Sequence, residues 1–152
     1  MNKVMEVDFL PRETDVAFSS LGSIGDSARR ILIIDNDKNT THLVKILLEK
    51  TGRYLVFEEN DFTRALQTAR NIRPDFIFLD PVMPDRDGGE IAAQIQADSE
   101  LHGTPIIFLT AHGIRGEAKS GLQLDFLVKP INIQELINAI EERLPMHAKA
   151  YG

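Results

Sequence analysis

Four apolar runs in this chain end in residues that could do chemistry. "RILIID" (30–35) ends in Asp35 and continues into Asn36 and Asp37. "DFIFLD" (75–80) ends in Asp80, "PIIFLT" (105–110) in Thr110, and "LDFLVK" (124–129) in Lys129. Carboxylates that converge repel each other and raise each other's pKa unless a cation stands among them. Mg²⁺ suits such a place: it takes oxygen ligands, keeps several waters, and needs only one or two carboxylates. A carboxylate is also a nucleophile toward phosphorus. A lysine and a hydroxyl nearby would then neutralise and hydrogen-bond the phosphoryl oxygens. Each residue also has a plainer use. Asp35 or Thr110 could cap a helix, Asp80-Pro81 could be a turn, and Lys129 could be a surface lysine. His102 and His112 fall in loops without ligand spacing and read as solvated. His42 falls on a helix near the acids and reads as exposed.

These residues need a frame that brings strand ends together. With "YLVFEE" (54–59) there are five short apolar runs, β-branched or aromatic and bounded by turn residues. Such runs fit strands buried on both faces. Stretches with helical spacing lie between them. In "KNTTHLVKILLEKTG", Leu43, Ile46 and Leu47 share a face, with Val44 and Leu48 beside it, and Gly52 stops the helix. "DFTRALQTARNI" opens on Asp61 as an N-cap and turns Phe62, Leu66, Ala69 and Ile72 inward. "DGGEIAAQIQAD" places Ile91 and Ile95 on one face. "NIQELINAIEERL" opens on Asn132 and presents Ile133, Leu136, Ile137, Ile140 and Leu144. Alternating strands and helices predict an α/β fold: a flavodoxin-like, doubly wound (βα)5 parallel sheet in the order 2-1-3-4-5. In that fold ligands sit at the carboxyl ends of the strands, at the switch point between strands one and three. Asp35 and Asp80 end those two strands. Gly113, Gly116 and Gly121 interrupt the segment before strand five, each costing a helix about 1 kcal/mol relative to alanine. The expectation there is a short or irregular fourth helix.

The domain is expected over 30–145. Residues 1–29 stand outside the alternating pattern and read as a flexible extension. Val16, Phe18, Leu21 and Ile24 are more apolar than a pure linker needs, so a segment that docks on the domain or on a partner is the other reading. The tail 146–152 reads as frayed.

Composition narrows the function classes. The net charge of −6 argues against non-specific nucleic-acid binding, which needs clustered Lys and Arg. Cysteine is absent, which removes disulfides, thiol nucleophiles and zinc–cysteine sites. No apolar run approaches the ~20 residues of a membrane span, and the first residues lack the apolar core of a signal peptide. The expectation is a cytoplasmic protein with no membrane contact.

The elements "ILIIDND", "DFIFLDPVMPDRDGGE", "PIIFLTA" and "FLVKP" occur in that order. In this the chain resembles a response-regulator receiver domain, of the CheY-like superfamily, of bacterial two-component signalling. The resemblance covers residues 30 to 145, and "LDPVMPDRDG" is its most specific part. It implies that Asp80 is the phosphoacceptor. Asp35 matches the first of the family's two acids after strand one, which holds Mg²⁺ through water. Asn36 falls where the second acid binds the ion directly. Val82 matches the residue whose backbone carbonyl ligates the metal. Thr110 matches the hydroxyl that moves toward the phosphoryl group, Lys129 the lysine that pairs with it, and Phe126 the aromatic switch. Met83-Pro84 and Asp87-Gly88 shape the loop after the acceptor.

Two departures stand out. Asn36 can offer an amide oxygen but no full charge, so Asp35, Asp80 and the Val82 carbonyl would carry the ion with Asn36 as a neutral or indirect partner. Asp37 comes one position too late to replace the missing acid simply. From Thr110 to Lys129 the chain is also about three residues, near one helical turn, shorter than the family pattern. That puts the family's usual dimer mode in doubt, though a weak homodimer stays among the expected partners.

The sequence thus reads as a stand-alone receiver rather than an enzyme. It would take a phosphoryl group on Asp80 from a histidine kinase or phosphotransfer protein, with Mg²⁺, and signal through contact with a downstream protein or pass the group onward, without direct nucleic-acid binding. A second reading is a pseudo-receiver that keeps the fold as a phosphorylation-independent interaction module; Asn36 is its best support. A third is a haloacid-dehalogenase-like phosphatase with Asp35 as nucleophile in "DND". Against it, Asn39 stands where that family has Thr or Val, and the chain has no room for a cap domain.

Overall fold

The computed structural model describes residues 28–82, 87–111 and 125–144. Five parallel strands form one sheet: β1 (Arg29–Ile34), β2 (Tyr54–Glu59), β3 (Phe76–Leu79), β4 (Ile106–Thr110) and β5 (Phe126–Val128), in the order β2-β1-β3-β4-β5. This is the expected flavodoxin-like arrangement. Four α-helices flank it among the described residues: α1 (Lys38–Glu49), α2 (Ala65–Ile72), α3 (Gly88–Ala97) and α4 (Ile133–Arg143). A 3-10 turn, Phe62–Arg64, leads into α2. The irregular helix expected before strand five, the extension 1–27 and the tail after Leu144 lie outside the described residues, as do Met83-Pro84 and His112.

Alternation along the strands splits the core in two. Ile31, Ile33, Phe76, Phe78, Ile107 and Leu109 pack with Val44 and Leu48 of α1 and with Leu136 and Ile140 of α4. On the other face, Leu32, Ile34, Ile77, Leu79 and Phe108 pack with Ala65 and Ala69 of α2 and Ile91 and Ile95 of α3. The continuous apolar runs therefore belong to strands covered on both sides. Phe76 and Phe78 both lie in the first cluster, their ring centroids 4.9 Å apart.

Side-chain caps start the helices. Asp37 accepts from the Asn39 N–H at 3.0 Å, Asp87 from Gly89 at 2.9 Å, and Asn132 from Gln134 at 2.9 Å; Asp61 caps the 3-10 turn through Thr63 at 2.9 Å. Each gives a partner to an amide that the helix leaves unbonded.

α1 is turned differently from its hydrophobic spacing. Its buried stripe is Thr40, Thr41, Val44 and Leu48, whereas Leu43 and Ile46 are 43% and 42% exposed. The two threonines occupy inner positions because their hydroxyls are bonded: Thr40 Oγ1 donates to Asp37 at 3.0 Å and Thr41 Oγ1 to Glu58 at 2.7 Å. A reading based on apolar residues alone passes over such positions. No described helix is long and apolar enough to cross a membrane.

Candidate functional site

The sheet ladder runs past the strands and delivers the polar residues to one edge. The Asp35 N–H donates to Glu59 O at 3.1 Å, that of Asp80 to Ile34 O at 2.9 Å, and that of Lys129 to Thr110 O at 2.8 Å. Asp35, Asp80, Thr110 and Lys129 are thereby fixed at the carboxyl ends of β1, β3, β4 and β5. Asp35, Asp80 and Thr110 are buried.

The Lys129 Nζ donates to Asp35 Oδ2 at 2.7 Å and lies 3.8 Å from Asp80 Oδ2. Asp35 Oδ1 accepts from the Asp37 N–H at 2.9 Å, and Asp80 Oδ1 from the Val82 N–H at 2.9 Å. Both carboxylates are thus held by one backbone amide and share one ammonium. Burial pushes the Asp80 carboxyl up to about 6; the Val82 N–H and Lys129 oppose the rise, and the charge of Asp35 adds to it. Lys129 belongs more to Asp35 than to Asp80, and among the described residues one cation serves two buried acids.

The other expected residues separate. Asn36 is exposed. Asp37 is committed to the α1 cap: the Asn39 N–H and the Thr40 hydroxyl hold its carboxyl below the usual carboxylate range. Both of its oxygens are taken at the helix start, Oδ1 by the Asn39 N–H and Oδ2 by the Thr40 hydroxyl. Val82 is 49% exposed and bridges to Asp87 across the loop. Phe126 is half-buried and packs against the core on the α2 and α3 side. His42 is exposed, with Nδ1 3.7 Å from Glu58 Oε2. His102 is exposed on its loop, with Nδ1 3.2 Å from Ser99 O.

Two features escaped the sequence reading. The polar residues at the end of β2 also reach the site: Asn60 Nδ2 donates to Asp35 O at 2.8 Å and to Thr41 Oγ1 at 3.0 Å, clamping the peptide that leads to Asn36. The run "EEN" after an apolar strand was the available signal. The physical role of Gly88 was the other. A Cβ there would stand 2.5 Å from Pro81 Cα and 2.6 Å from Asp80 O, and the Gly88 N–H donates to Pro81 O at 3.0 Å. The backbone after Asp80 is held against the start of α3 at a distance that only glycine permits.

The donor chemistry fits a hard cation in kind but is weak in charge. Asp35, Asp80, the Asn36 amide and the Val82 carbonyl are all oxygen donors, as Mg²⁺ prefers. The upward shift of Asp80 comes first from burial, and the neighbouring charge of Asp35 adds to it. Among the described residues, however, no group of three or more His, Asp or Glu side chains converges. Asp35 and Asp80 are the pair of acids that face Lys129.

A model of the response regulator receiver domain matches residues 31–141. The chain belongs to this family. It is a receiver domain of two-component signal transduction, a signalling domain. Curated relatives include the DNA-binding response regulator MtrA of Mycobacterium leprae and of Mycolicibacterium paratuberculosis. Each is 32% identical over 119 residues, a stretch covering 76% of this chain and 51% of the relative. The chain spans about half the length of these curated relatives. Among solved structures, chemotaxis protein CheY4 of Vibrio cholerae is 28% identical with a TM-score of 0.67, over 76% of this chain and 98% of that one. The receiver domain of a Pseudomonas aeruginosa sensor histidine kinase, solved with a magnesium ion coordinated in its active-site cleft, is 25% identical with a TM-score of 0.69, over 78% and 99%.

Proposed function

We propose that Asp80 accepts a phosphoryl group from a histidine kinase or a histidine phosphotransfer protein. The observation that carries this reading is the buried Asp80 carboxyl facing Lys129 at the strand ends, with Asp35 on the other side of the same ammonium. An Asp80 oxygen attacks the phosphorus of a phosphohistidine. The new O–P bond forms as the N–P bond breaks, and the imidazole leaves with the electron pair and takes up a proton. Lys129 and the Thr110 hydroxyl answer the charge on the phosphoryl oxygens, and phosphorylation biases Thr110 and Phe126 toward a second arrangement. Asp35, Asp80, the Asn36 amide and the Val82 carbonyl would hold Mg²⁺. When bound, the ion supplies positive charge to the transferring group. The receiver works in the cytoplasm and signals by protein contact; DNA binding is named for the curated relatives, of which this chain spans about half.

Intact mass after incubation with acetyl phosphate tests the reading, with and without Mg²⁺, on the wild type and on Asp80→Asn. The expected result is a Mg²⁺-dependent gain of one phosphoryl group that the variant lacks. A folded protein that gains nothing at any Mg²⁺ concentration would establish the second reading, a phosphorylation-independent interaction module. That reading draws on Asn36, which stands exposed and leaves the cleft one acid short.

A further inference from the structure

The outward stripe of α1 carries Leu43 and Ile46, both more than two-fifths exposed. Residues three apart on a helix are neighbours, so the two side chains form one apolar strip. The phosphoryl chemistry proposed above does not use it. An occupant lies within reach on the same chain. The Arg29 N–H donates to Arg53 O at 3.1 Å, so residues 1–27 join the domain beside the turn that follows α1. Lys50 closes that helix. At 1.5 Å per residue, Ile46 lies about 6 Å and Leu43 about 10 Å back along α1 from Lys50. Residues 21–27 span about 23 Å when extended. Leu21 and Ile24 stand three apart, as Leu43 and Ile46 do, and Phe18 continues the same spacing outward.

Charge agrees with this pairing. Residues 1–27 contain five acids and two bases, and the stretch from Phe18 to Ser27 holds one of those acids, Asp26, and no base. α1 with its two caps carries Lys38, Lys45 and Lys50 against Asp37 and Glu49, and Lys45 pairs with Glu49 at 2.9 Å. We propose that the segment from Phe18 to Ser27 lies along α1, with Ile24 over Ile46 and Leu21 over Leu43, so that the chain covers its own apolar strip.

The absence of cysteine makes the test clean in the full chain. A nitroxide attached at Ser20→Cys should strongly broaden the amide signals of Leu43 and Ile46, while Gln94 of α3, on the opposite face of the sheet, stays sharp. Leu21→Asp combined with Ile24→Asp should restore both signals and leave the rest of the spectrum in place. Isotope-enriched chain without nitroxide, mixed with nitroxide-bearing chain of natural abundance, separates the sources. Broadening in that mixture would assign the strip to a second copy and overturn the proposal. Absence of broadening at Leu43 and Ile46 in every sample would overturn it too, and leave the strip to a different partner.

Discussion

Lys129 joins the two buried acids of the cleft: its Nζ lies 2.7 Å from Asp35 Oδ2 and 3.8 Å from Asp80 Oδ2. The Asp35 side chain is fully buried and that of Lys129 is 17% exposed. Removing one member of a buried pair strands the other charge, at about 3–5 kcal/mol. Lys129→Met should therefore lower the unfolding free energy at pH 7 by about 3 kcal/mol in urea titrations. Asp35→Asn in the same background should recover part of the loss, because the stranded charge is gone. A loss below about 1 kcal/mol would mean that water already screens the pair.

The raised carboxyl of Asp80 makes a prediction about pH. Its folded pKa is about 6 against an ordinary 3.8. Between these values the folded state holds more protons than the unfolded chain. Stability then falls as pH rises, and the loss is complete above about 6. Without metal, Asp80 should contribute stability below pH 4 that disappears across the window from 4 to 6. Asp80→Asn should flatten that part of the profile in thermal melts at matched ionic strength. Added Mg²⁺ should stabilise the wild type more above pH 6 than below it, since protons and the cation compete for the same oxygens. A wild-type profile that rises through this window by as much as the variant's would refute the shift.

Much of this cleft could be read in advance, and the limits have physical causes. Strands covered on both faces leave unbroken apolar runs, so the polar residue that ends each run marks a strand end. Asp35, Asp80, Thr110 and Lys129 were legible in that way. The inner face of α1 was not, because Thr40 and Thr41 are polar by type but satisfied within the fold. Asn60 was missed for a related reason. Its bond to the Asp35 carbonyl depends on how far β2 runs alongside β1, a matter of register, since Ile34 pairs with Glu59. The motif glycine Gly88 was visible as a letter, but its cause is a clearance in space between α3 and Pro81.

On the proposed reading, Asn36 stands where the family carries a second acid. Restoring an acid there should strengthen cation binding. One added charge near the ion is worth about 1 kcal/mol in water-like surroundings and about 4 kcal/mol near a protein surface at close range. The exposure of Asn36 favours the lower end. Asn36→Asp should raise Mg²⁺ affinity about tenfold by calorimetry, equivalent to about 1.4 kcal/mol. It should also lower the melting temperature of the metal-free protein, because a third acid joins two that already share Lys129. Unchanged affinity would place residue 36 outside the coordination sphere and leave the ion to Asp35, Asp80 and Val82.

Gly88 ties the loop after Asp80 to the helix that follows it. The missing Cβ is what allows Pro81 Cα and the Asp80 carbonyl to approach so closely. Alanine would put a methyl 2.5 Å from a backbone atom, and backbone yields less readily than the end of a side chain. Overpacking of this kind costs about 1–3 kcal/mol. Gly88→Ala should therefore destabilise the domain by about that amount, although alanine is the better helix former. The displacement falls on the peptide that carries Asp80, so the rate of phosphoryl gain from acetyl phosphate should drop as well. Gly89→Ala, one residue on, is the control: its amide bonds the Asp87 cap at 2.9 Å in the same first turn. If both variants lose stability equally but only Gly88→Ala slows the reaction, the clearance at Pro81 acts on the geometry of Asp80 rather than on the helix. Equal slowing in both would assign the effect to the start of α3 as a whole.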